Sequence, residues 1–294
     1  MRVILATDGS QHAEEAAWLL AHLPHSDKLE LTVVYVSNTV RWQASSRLMS
    51  ELTRLQERIA EEEKSQAKKI FQRAKEIFEG ANAALDLVVL EGQVGSAILQ
   101  LAESSKSELI VIGAVGHSMF ERMLGSVSDY VATHAKCSVL LVRPTGLSKQ
   151  ERPIAMCFAQ DESIGSAEGI KQVAAFGWGE NTHIDVVGVF TLPLVYYEIP
   201  YEFDLAEMKK SAQQAVDHAA EQLRKLTPNV QTHVVDGNHA GDALVEFAKQ
   251  RGSDIIVLRK SNQDLFGRLI FGSTSRYVLR HAKCSIWIAR ENLS

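Results

Sequence analysis

Residues 134–144 read HAKCSVLLVRP, and residues 281–290 read HAKCSIWIAR. Cys137 and Cys284 are therefore equivalent, at an offset of 147 residues (284 − 137). The preceding residues match at the same offset, because GSVSDYVATHAKC aligns with GSTSRYVLRHAKC. A match at a fixed offset is typical of a duplicated structural unit. The chain is predicted to contain two copies of one unit.

Each copy alternates short apolar runs with stretches of helical spacing. The strand-like runs of the first copy are RVILA, LELTVVYVS, LDLVVLEG, SELIVIG and SVLLVRP. Helical spacing follows the first run, where Ala13, Ala17 and Leu20 fall on one helix face. The second copy repeats this order from PIAMCFAQD to SIWIAR. The pattern predicts two tandem α/β domains, each a parallel sheet of five strands with helices on both faces.

The segment between the copies predicts the domain boundary. It reads RPTGLSKQERP, with prolines at Pro144 and Pro153 and several charged residues. Such a composition is typical of a short exposed linker. We expect a first domain over residues 1–145 and a second over residues 152–294.

Composition excludes several classes of protein. Among 294 residues, 46% are hydrophobic and 23% charged, which is typical of a soluble globular chain. The formal net charge of -5 favours neither nucleic acid nor an anionic membrane as a partner. No apolar run reaches the roughly 18 residues of a membrane-spanning helix, so a cytoplasmic protein is expected. The three cysteines fit no disulfide or metal spacing and are expected to be reduced.

The loops after the first and fourth strands are the predicted ligand site. In an open parallel sheet, ligands bind beyond the carboxyl ends of the strands, where the strand order reverses. Asp8 follows the first strand, and GAVGHSMFERMLGS (113–126) follows the fourth. Glycines there would allow backbone N–H groups to approach an anion, and the helix beginning near Ser126 would offer free N–H groups to a phosphate.

The same residues also have purely structural interpretations. Asp8 and Ser10 are ordinary N-cap residues for the helix that follows them. Gly113 and Gly116 would equally relieve crowding in a tight turn, and Ser126 could act only as a cap.

Several motifs together resemble the universal stress protein family. They are ATDGS near the N-terminus, EG before the third helix, G-x-x-G, then GS before a helix, and HAKCSVLLV. The resemblance covers both copies and implies that each is a Rossmann-like domain with a five-stranded parallel sheet, an architecture shared with adenine nucleotide alpha hydrolase-like enzymes. It also implies that a subgroup binds ATP, with or without Mg²⁺, through G-x-x-G, nine residues and then G-S or G-T.

Carried over residue by residue, the resemblance implies a nucleotide site in the first copy. Asp8 would contact the ribose or metal side, and the Val36 backbone would contact the adenine. Gly113 would lie at the ribose. The phosphate contacts would come from Gly116, Gly125, Ser126 and Val127.

The first copy departs from the family pattern by one residue. Eight residues, 117–124, separate Gly116 from Gly125 instead of nine. We expect the loop at His117 and Ser118 to absorb the difference, because a deletion within a helix would rotate the following residues by about 100°.

The second copy is predicted to have lost the site. Aligning Gly272 with Gly125 places Arg259 and Asn262 where the first two glycines should be. Asp161 is retained, but Glu162 replaces the adjacent glycine and adds negative charge. No nucleotide is expected in the second domain.

These observations predict a tandem stress-response or signalling module that binds an adenine nucleotide in its first domain. Two alternatives remain: a structural or interaction module that binds no nucleotide, and a slow adenylate-hydrolysing enzyme. No convincing nucleophile or general base is visible, and His134 and His281 are interpreted as helix caps. The resemblance further implies that the copies pair through their last strands as an intrachain pseudo-dimer, with Trp287 at the seam and a homodimer as a further option.

Overall fold

The computed structural model describes residues 1–25, 27–37, 49–115, 124–144, 146–147, 152–161, 167–191, 205–259 and 272–290. The described part of the first copy contains β1 (Arg2–Ala6), α1 (Gln11–His22), β2 (Leu29–Ser37), α2 (Met49–Ile77), β3 (Ala83–Glu91), α3 (Val94–Ser104), β4 (Leu109–Gly113), α4 (Ser126–His134) and β5 (Ser138–Val142). That of the second contains β6 (Ala155–Gln160), α5 (Ala167–Ala174), β7 (His183–Phe190), α6 (Leu205–Leu223), β8 (Val230–Asp236), α7 (Ala240–Arg251), β9 (Ile255–Arg259), α8 (Ser273–His281) and β10 (Ser285–Ala289).

The described strands form one ten-stranded sheet in the order β3-β2-β1-β4-β5-β10-β9-β6-β7-β8. Within each copy all neighbouring strands are parallel. The predicted α/β class, with five parallel strands in each copy, is therefore confirmed. In the first copy the chain leaves β1 towards β2 and β3 on one side, then returns to place β4 and β5 on the other. This reversal between β1 and β4 creates the crevice where ligands of such sheets bind.

Strand alternation produces a core on each face of the sheet. Val3 and Leu5 of β1 pack on one face, whereas Ile4 and Ala6 pack on the other. Each face continues from one copy into the other, since Leu140 and Phe158 belong to the same apolar cluster. Apolar side chains on both faces explain why these strands read as continuous hydrophobic runs.

The two copies join through the antiparallel pairing of β5 with β10. Trp287 lies opposite Leu140 in this pairing, is fully buried, and contacts Phe176 edge-on at 5.2 Å between ring centroids. The expected position of Trp287 at the seam is confirmed. All five residues of both strands are buried, and the two buried serines, Ser138 and Ser285, accept hydrogen bonds across the seam from the N–H groups of Arg290 and Arg143.

Two equivalent arginines cross this seam in opposite directions. Arg143, directly after β5, is 6% exposed and donates from Nη2 to the carbonyl oxygen of Leu279 at 3.0 Å. Arg290, directly after β10, is 3% exposed and donates to the carbonyl oxygens of Ala132 and, at 3.0 Å, Cys137. Each guanidinium therefore binds one carbonyl in the last turn of the other copy's last helix, where the helix dipole favours a cation, and Arg290 also binds the Cys137 carbonyl beyond that helix. Burial lowers the pKa of both side chains, that of Arg290 to about 10.

Replacing Arg290 should test how strongly these contacts hold the seam. In Arg290→Ala, two buried carbonyls lose their donor, and we expect the free energy of unfolding to fall by about 2–4 kcal/mol. Urea denaturation measures this change. The exposed Arg224→Ala serves as the control and should stay within about 0.5 kcal/mol of the parent. Equal stabilities of the two variants would show that Arg290 contributes nothing at the seam.

The three cysteines are free thiols buried in the core. Their burial raises the pKa of Cys137 to about 11 and that of Cys284 to about 12, and raises the pKa of Cys157 as well. A buried thiol with a raised pKa is unreactive, as the interpretation of these residues as small apolar side chains requires.

These thiols should make the protein sensitive to alkali. The unfolded chain loses thiol protons from about pH 9, whereas the folded chain keeps them to a higher pH. Because the folded state then binds more protons, the thiol contribution to stability is complete below pH 9 and is lost as the pH rises towards 12. Urea denaturation between pH 8 and pH 10.5 should show this decline. A variant with all three cysteines changed to alanine should show a shallower slope; an unchanged slope would assign the effect to other groups.

Candidate functional site

A cavity of about 340 Å³ lies at the carboxyl ends of β1, β2 and β4. Six of the seven residues predicted for the site line it: Asp8, Val36, Gly113, Gly125, Ser126 and Val127. The seventh, Gly116, lies outside the described residues, as do His117 and Ser118. The fold thus brings together residues from loops that are more than a hundred positions apart in the chain.

The loop after β1 is held by its own side chains. Asp8 accepts a hydrogen bond at Oδ1 from the N–H of Ser10 at 2.9 Å, and Ser10 Oγ in turn accepts from the N–H of Ala13 at 3.3 Å. Ser10 is therefore the N-cap of α1. Asp8 shapes the loop that precedes the cap, and it also lines the cavity. Its carboxylate brings an acceptor to this end of the site.

Gly113 is required by packing as well as by its position in the cavity wall. A Cβ added there would lie 3.0 Å from the carbonyl oxygen of His12 and 3.1 Å from its carbonyl carbon. These atoms belong to the first turn of α1, which cannot move without disturbing the sheet. The crowding interpretation of this glycine is therefore supported by the geometry, and a ligand is not needed to explain it.

The amino end of α4 forms the opposite wall. Gly125 is its N-cap, with φ of −68° and ψ of 148°, and provides no side chain to bond the first turn. The Gly125 N–H donates to the carbonyl oxygen of Ala114 at 2.9 Å, and Ser128 Oγ donates to the same oxygen at 2.7 Å. Within the described residues, the N–H groups of Ser126 and Val127 have no acceptor. These amides and the positive end of the helix dipole offer a place for an anion.

The cavity is apolar between these two polar ends. Val94 and Ile98, one turn apart on α3, line it together with Val34 and Ile112 from the sheet. Sequence reasoning identified the helix and the strands but not this wall. The sequence feature that could have predicted this wall is the four-residue spacing of Val94 and Ile98, which places both side chains on one face of α3. An apolar slot of this kind suits a flat aromatic ring.

A polar pair that joins β2 to α2 was also missed from the sequence. Ser37, the last residue of β2, donates to Glu63 of α2. Burial, the charge of Glu63 and the charge of Asp8 together raise the pKa of Tyr35. The charges of Glu63 and Asp8 therefore both act on Tyr35 of β2.

The corresponding place in the second copy is occupied by an ion pair. Arg259, at the end of β9, donates from Nη2 to both carboxylate oxygens of Asp161, at 2.9 and 3.1 Å. The arginine stands at the position of Gly113 and the aspartate at that of Asp8. The aspartate that lines a cavity in the first copy therefore corresponds to one that pairs with an arginine in the second. Asn262 and Glu162 lie outside the described residues.

The repeated histidines act as helix caps in the structure. His134 and His281 hydrogen-bond through Nδ1 to the carbonyl oxygens of Tyr130 and Tyr277, at 2.9 and 2.8 Å. Each imidazole also stacks on the tyrosine ring one turn earlier, at 4.3 and 4.0 Å between centroids. Among the described residues, no group of three His, Cys, Asp or Glu side chains could hold a metal ion.

Comparison with known proteins identifies the family. The model of the universal stress protein family matches residues 1–143 and again residues 155–290, so the chain belongs to this family and contains its unit twice. A universal stress protein of Methanocaldococcus jannaschii is 30% identical over 148 residues, which are 48% of this chain and 81% of that protein. One from Mycobacterium tuberculosis is 24% identical over 205 residues, covering 68% of this chain and 67% of that protein.

Solved structures agree on the fold over the whole chain. A universal stress protein from Archaeoglobus fulgidus superimposes with a TM-score of 0.62 and covers 98% of both chains at 16% identity. A second structure, from Pseudomonas aeruginosa, gives a TM-score of 0.58 at 14% identity and covers 99% of this chain and 93% of that one. In the described part of the chain, no helix is both long enough and apolar enough to span a membrane.

The packing role of Gly113 can be separated from any role in binding. In Gly113→Ala the new methyl group would press on the His12 carbonyl, and we expect a loss of about 1–3 kcal/mol in the free energy of unfolding without added ligand. Urea denaturation provides the measurement. The control is Gly179→Ala, where an added Cβ has no atom within 4 Å and stability should be nearly unchanged. If Gly113→Ala is as stable as the control, packing does not require this glycine, and close approach of a ligand is the reason that remains.

Proposed function

We propose that the first copy is an adenine-nucleotide site that binds ATP and that the protein acts as a nucleotide-responsive stress or signalling module. The observation that carries the proposal is a pair of α4 amides, at Ser126 and Val127, that have no acceptor among the described residues and face an apolar slot ending at Asp8. A nucleotide needs these three parts in this order: donors for phosphates, an apolar surface for the base and an acceptor for the ribose.

The apolar slot would take the adenine ring. Val94 and Ile98 of α3 and Val34 of β2 supply its walls, and the Val36 backbone lies at the edge where hydrogen bonds to the base would form. A cavity of about 340 Å³ is within the usual range for small-molecule sites. Asp8, which lines the cavity beyond β1, would accept hydrogen bonds from the ribose hydroxyls or lie near a Mg²⁺ ion carried by the phosphates.

The phosphates would lie at the amino end of α4. The absence of a capping side chain at Gly125 leaves the first-turn amides for a ligand, and Ser126 adds a hydroxyl. Asp8 enters the cavity from the loop after β1, whereas the phosphates would lie against α4. The predicted contact with Gly116 remains part of the proposal.

The second copy is proposed to bind no nucleotide. Its Arg259–Asp161 pair removes the acceptor that the ribose would need, and the arginine side chain stands where the first copy has a glycine. We also propose two domains, 1–145 and 152–294, that form an intrachain pseudo-dimer. The β5–β10 pairing and the reciprocal contacts of Arg143 and Arg290 support this assignment. A cytoplasmic location and a homodimer remain predictions.

A matched pair of N-cap variants tests the nucleotide proposal. Gly125→Asp and Gly272→Asp each place an N-cap aspartate before the last helix of a copy, where both glycines already have extended backbone. Both variants should be at least as stable as the parent without ligand. Only Gly125→Asp should lose ATP binding, because its carboxylate occupies the α4 amides and repels phosphate.

The measurement is thermal melting with and without MgATP. ATP at about 100 times its Kd should stabilise the parent and Gly272→Asp by about 2.7 kcal/mol, and should leave the melting temperature of Gly125→Asp unchanged. If millimolar MgATP does not shift the parent, the protein is a structural or interaction module. If Gly272→Asp alone loses the shift, the nucleotide site belongs to the second copy.

A further inference from the structure

A second cavity, of about 430 Å³, lies where the end of β5 meets the carboxyl end of α8. We call it the junction cavity, because both copies contribute to it. Its described lining includes His12, Val115, Arg143, Arg280, His281 and Lys283. It adjoins the proposed nucleotide cavity, since Val115 lines both.

The charge of the junction cavity has one sign. Arg143, Arg280 and Lys283 are cations, and no carboxylate occurs among its described lining residues. Within the described chain, Arg280 and Lys283 form no ion pair. Two buried nitrogen atoms of the lining, Nε of Arg143 and Nδ1 of His12, have no hydrogen-bond partner among the residues that the structure describes. Arg143 is 6% exposed, so its unsatisfied N–H cannot rely on bulk water.

The carboxyl end of α8 lies beside the cavity, and it repels an anion less than a helix end whose carbonyl oxygens have no hydrogen-bond donors. Three carbonyl oxygens in the last turns of α8 already accept hydrogen bonds: Tyr277 from the His281 ring, Val278 from the Ala282 N–H, and Leu279 from Arg143. The negative end of this helix is therefore largely satisfied from within the protein.

Comparison of the copies shows that this charge is particular to the second one. In the first copy Lys136, the equivalent of Lys283, pairs with Glu103 at 3.1 Å. The residue that aligns with Glu103 is Lys249, and it pairs with its own neighbour Glu246 instead. Arg280 stands where the first copy has an uncharged threonine. Divergence has removed the counter-charge of Lys283 and added another cation beside it.

Two carboxylates among the described residues border cavities that adjoin this one. Asp254, which lines a neighbouring cavity, is engaged by Arg152 through two hydrogen bonds of 2.6 and 2.7 Å. Glu15 borders a separate cavity of about 20 Å³ that also touches Arg143, and no ion pair joins the two side chains.

We propose that the junction cavity binds a small phosphate-bearing anion. Planar guanidinium groups and an ammonium group around a pocket are suited to the oxygens of a phosphate, and more than one negative charge is needed to balance three cations. The ligand could be a free inorganic diphosphate or the phosphate chain of a nucleotide. The proposal does not depend on ATP binding in the α4 cavity.

Calorimetric titration of the full chain with sodium pyrophosphate at low ionic strength tests the site. The parent should bind saturably, and the double variant Arg280→Ala/Lys283→Ala should bind at least about tenfold more weakly. Both side chains are exposed, so the double variant should remain folded, which its melting curve verifies. Lys136→Ala removes the equivalent lysine of the first copy and should bind like the parent.

Titrations of the Gly125→Asp background distinguish the two ligand sources. In one outcome, Gly125→Asp binds both ATP and pyrophosphate, and the triple variant Gly125→Asp/Arg280→Ala/Lys283→Ala binds both more weakly. Nucleotide phosphates then enter the junction cavity. If only pyrophosphate binds, the ligand is a free inorganic anion. The proposal is overturned if the parent does not bind pyrophosphate or if Arg280→Ala/Lys283→Ala binds it as tightly as the parent. It is also overturned if pyrophosphate binding is lost in Gly125→Asp but not in the double variant.

Discussion

The antiparallel pairing of β5 with β10, closed by two buried arginines, is the constraint on which the rest of the structure depends. Neither Arg143 nor Arg290 has a carboxylate partner in the described chain; each is balanced by carbonyls at the carboxyl end of a helix in the other copy. A buried cation without partners would be strongly unfavourable, so these contacts fix how α4 and α8 meet the seam. Because Arg290 holds the carboxyl end of α4, the seam also positions its amino end, which forms one wall of the candidate site.

Duplication preserved this seam while the two sites diverged. Both copies keep a glycine N-cap before the last helix and a histidine cap after it. They differ at the end of the fourth strand, where Gly113 leaves Asp8 on a cavity wall and Arg259 instead engages Asp161. One substitution therefore converts an acceptor that lines a cavity into half of an ion pair. Both residues lie on strands that pair with the seam strands, Gly113 opposite Val142 and Arg259 opposite Ala289, and this pairing is the same in both copies.

Local patterns were enough to predict part of the candidate site. Asp8, Gly113, Gly125 and Ser126 were identifiable because loops at the carboxyl ends of parallel strands converge at a strand-order reversal. The apolar wall of Val94 and Ile98 was not identified, because helical spacing does not say which neighbour a face will cover. Nor could the sequence tell that Gly113 is needed against His12, since that contact joins residues about a hundred positions apart.

The sequence by itself determined the α/β class, the duplication and the order of elements, because strand and helix periods and a fixed repeat offset are local properties. It also indicated that the second copy had changed, since arginine cannot replace a glycine without filling space. Only the tertiary structure decided what that arginine bonds, how Arg143 and Arg290 cross the seam, and where unpaired cations gather beside α8. These outcomes depend on distances between residues far apart in the chain, which no local pattern specifies.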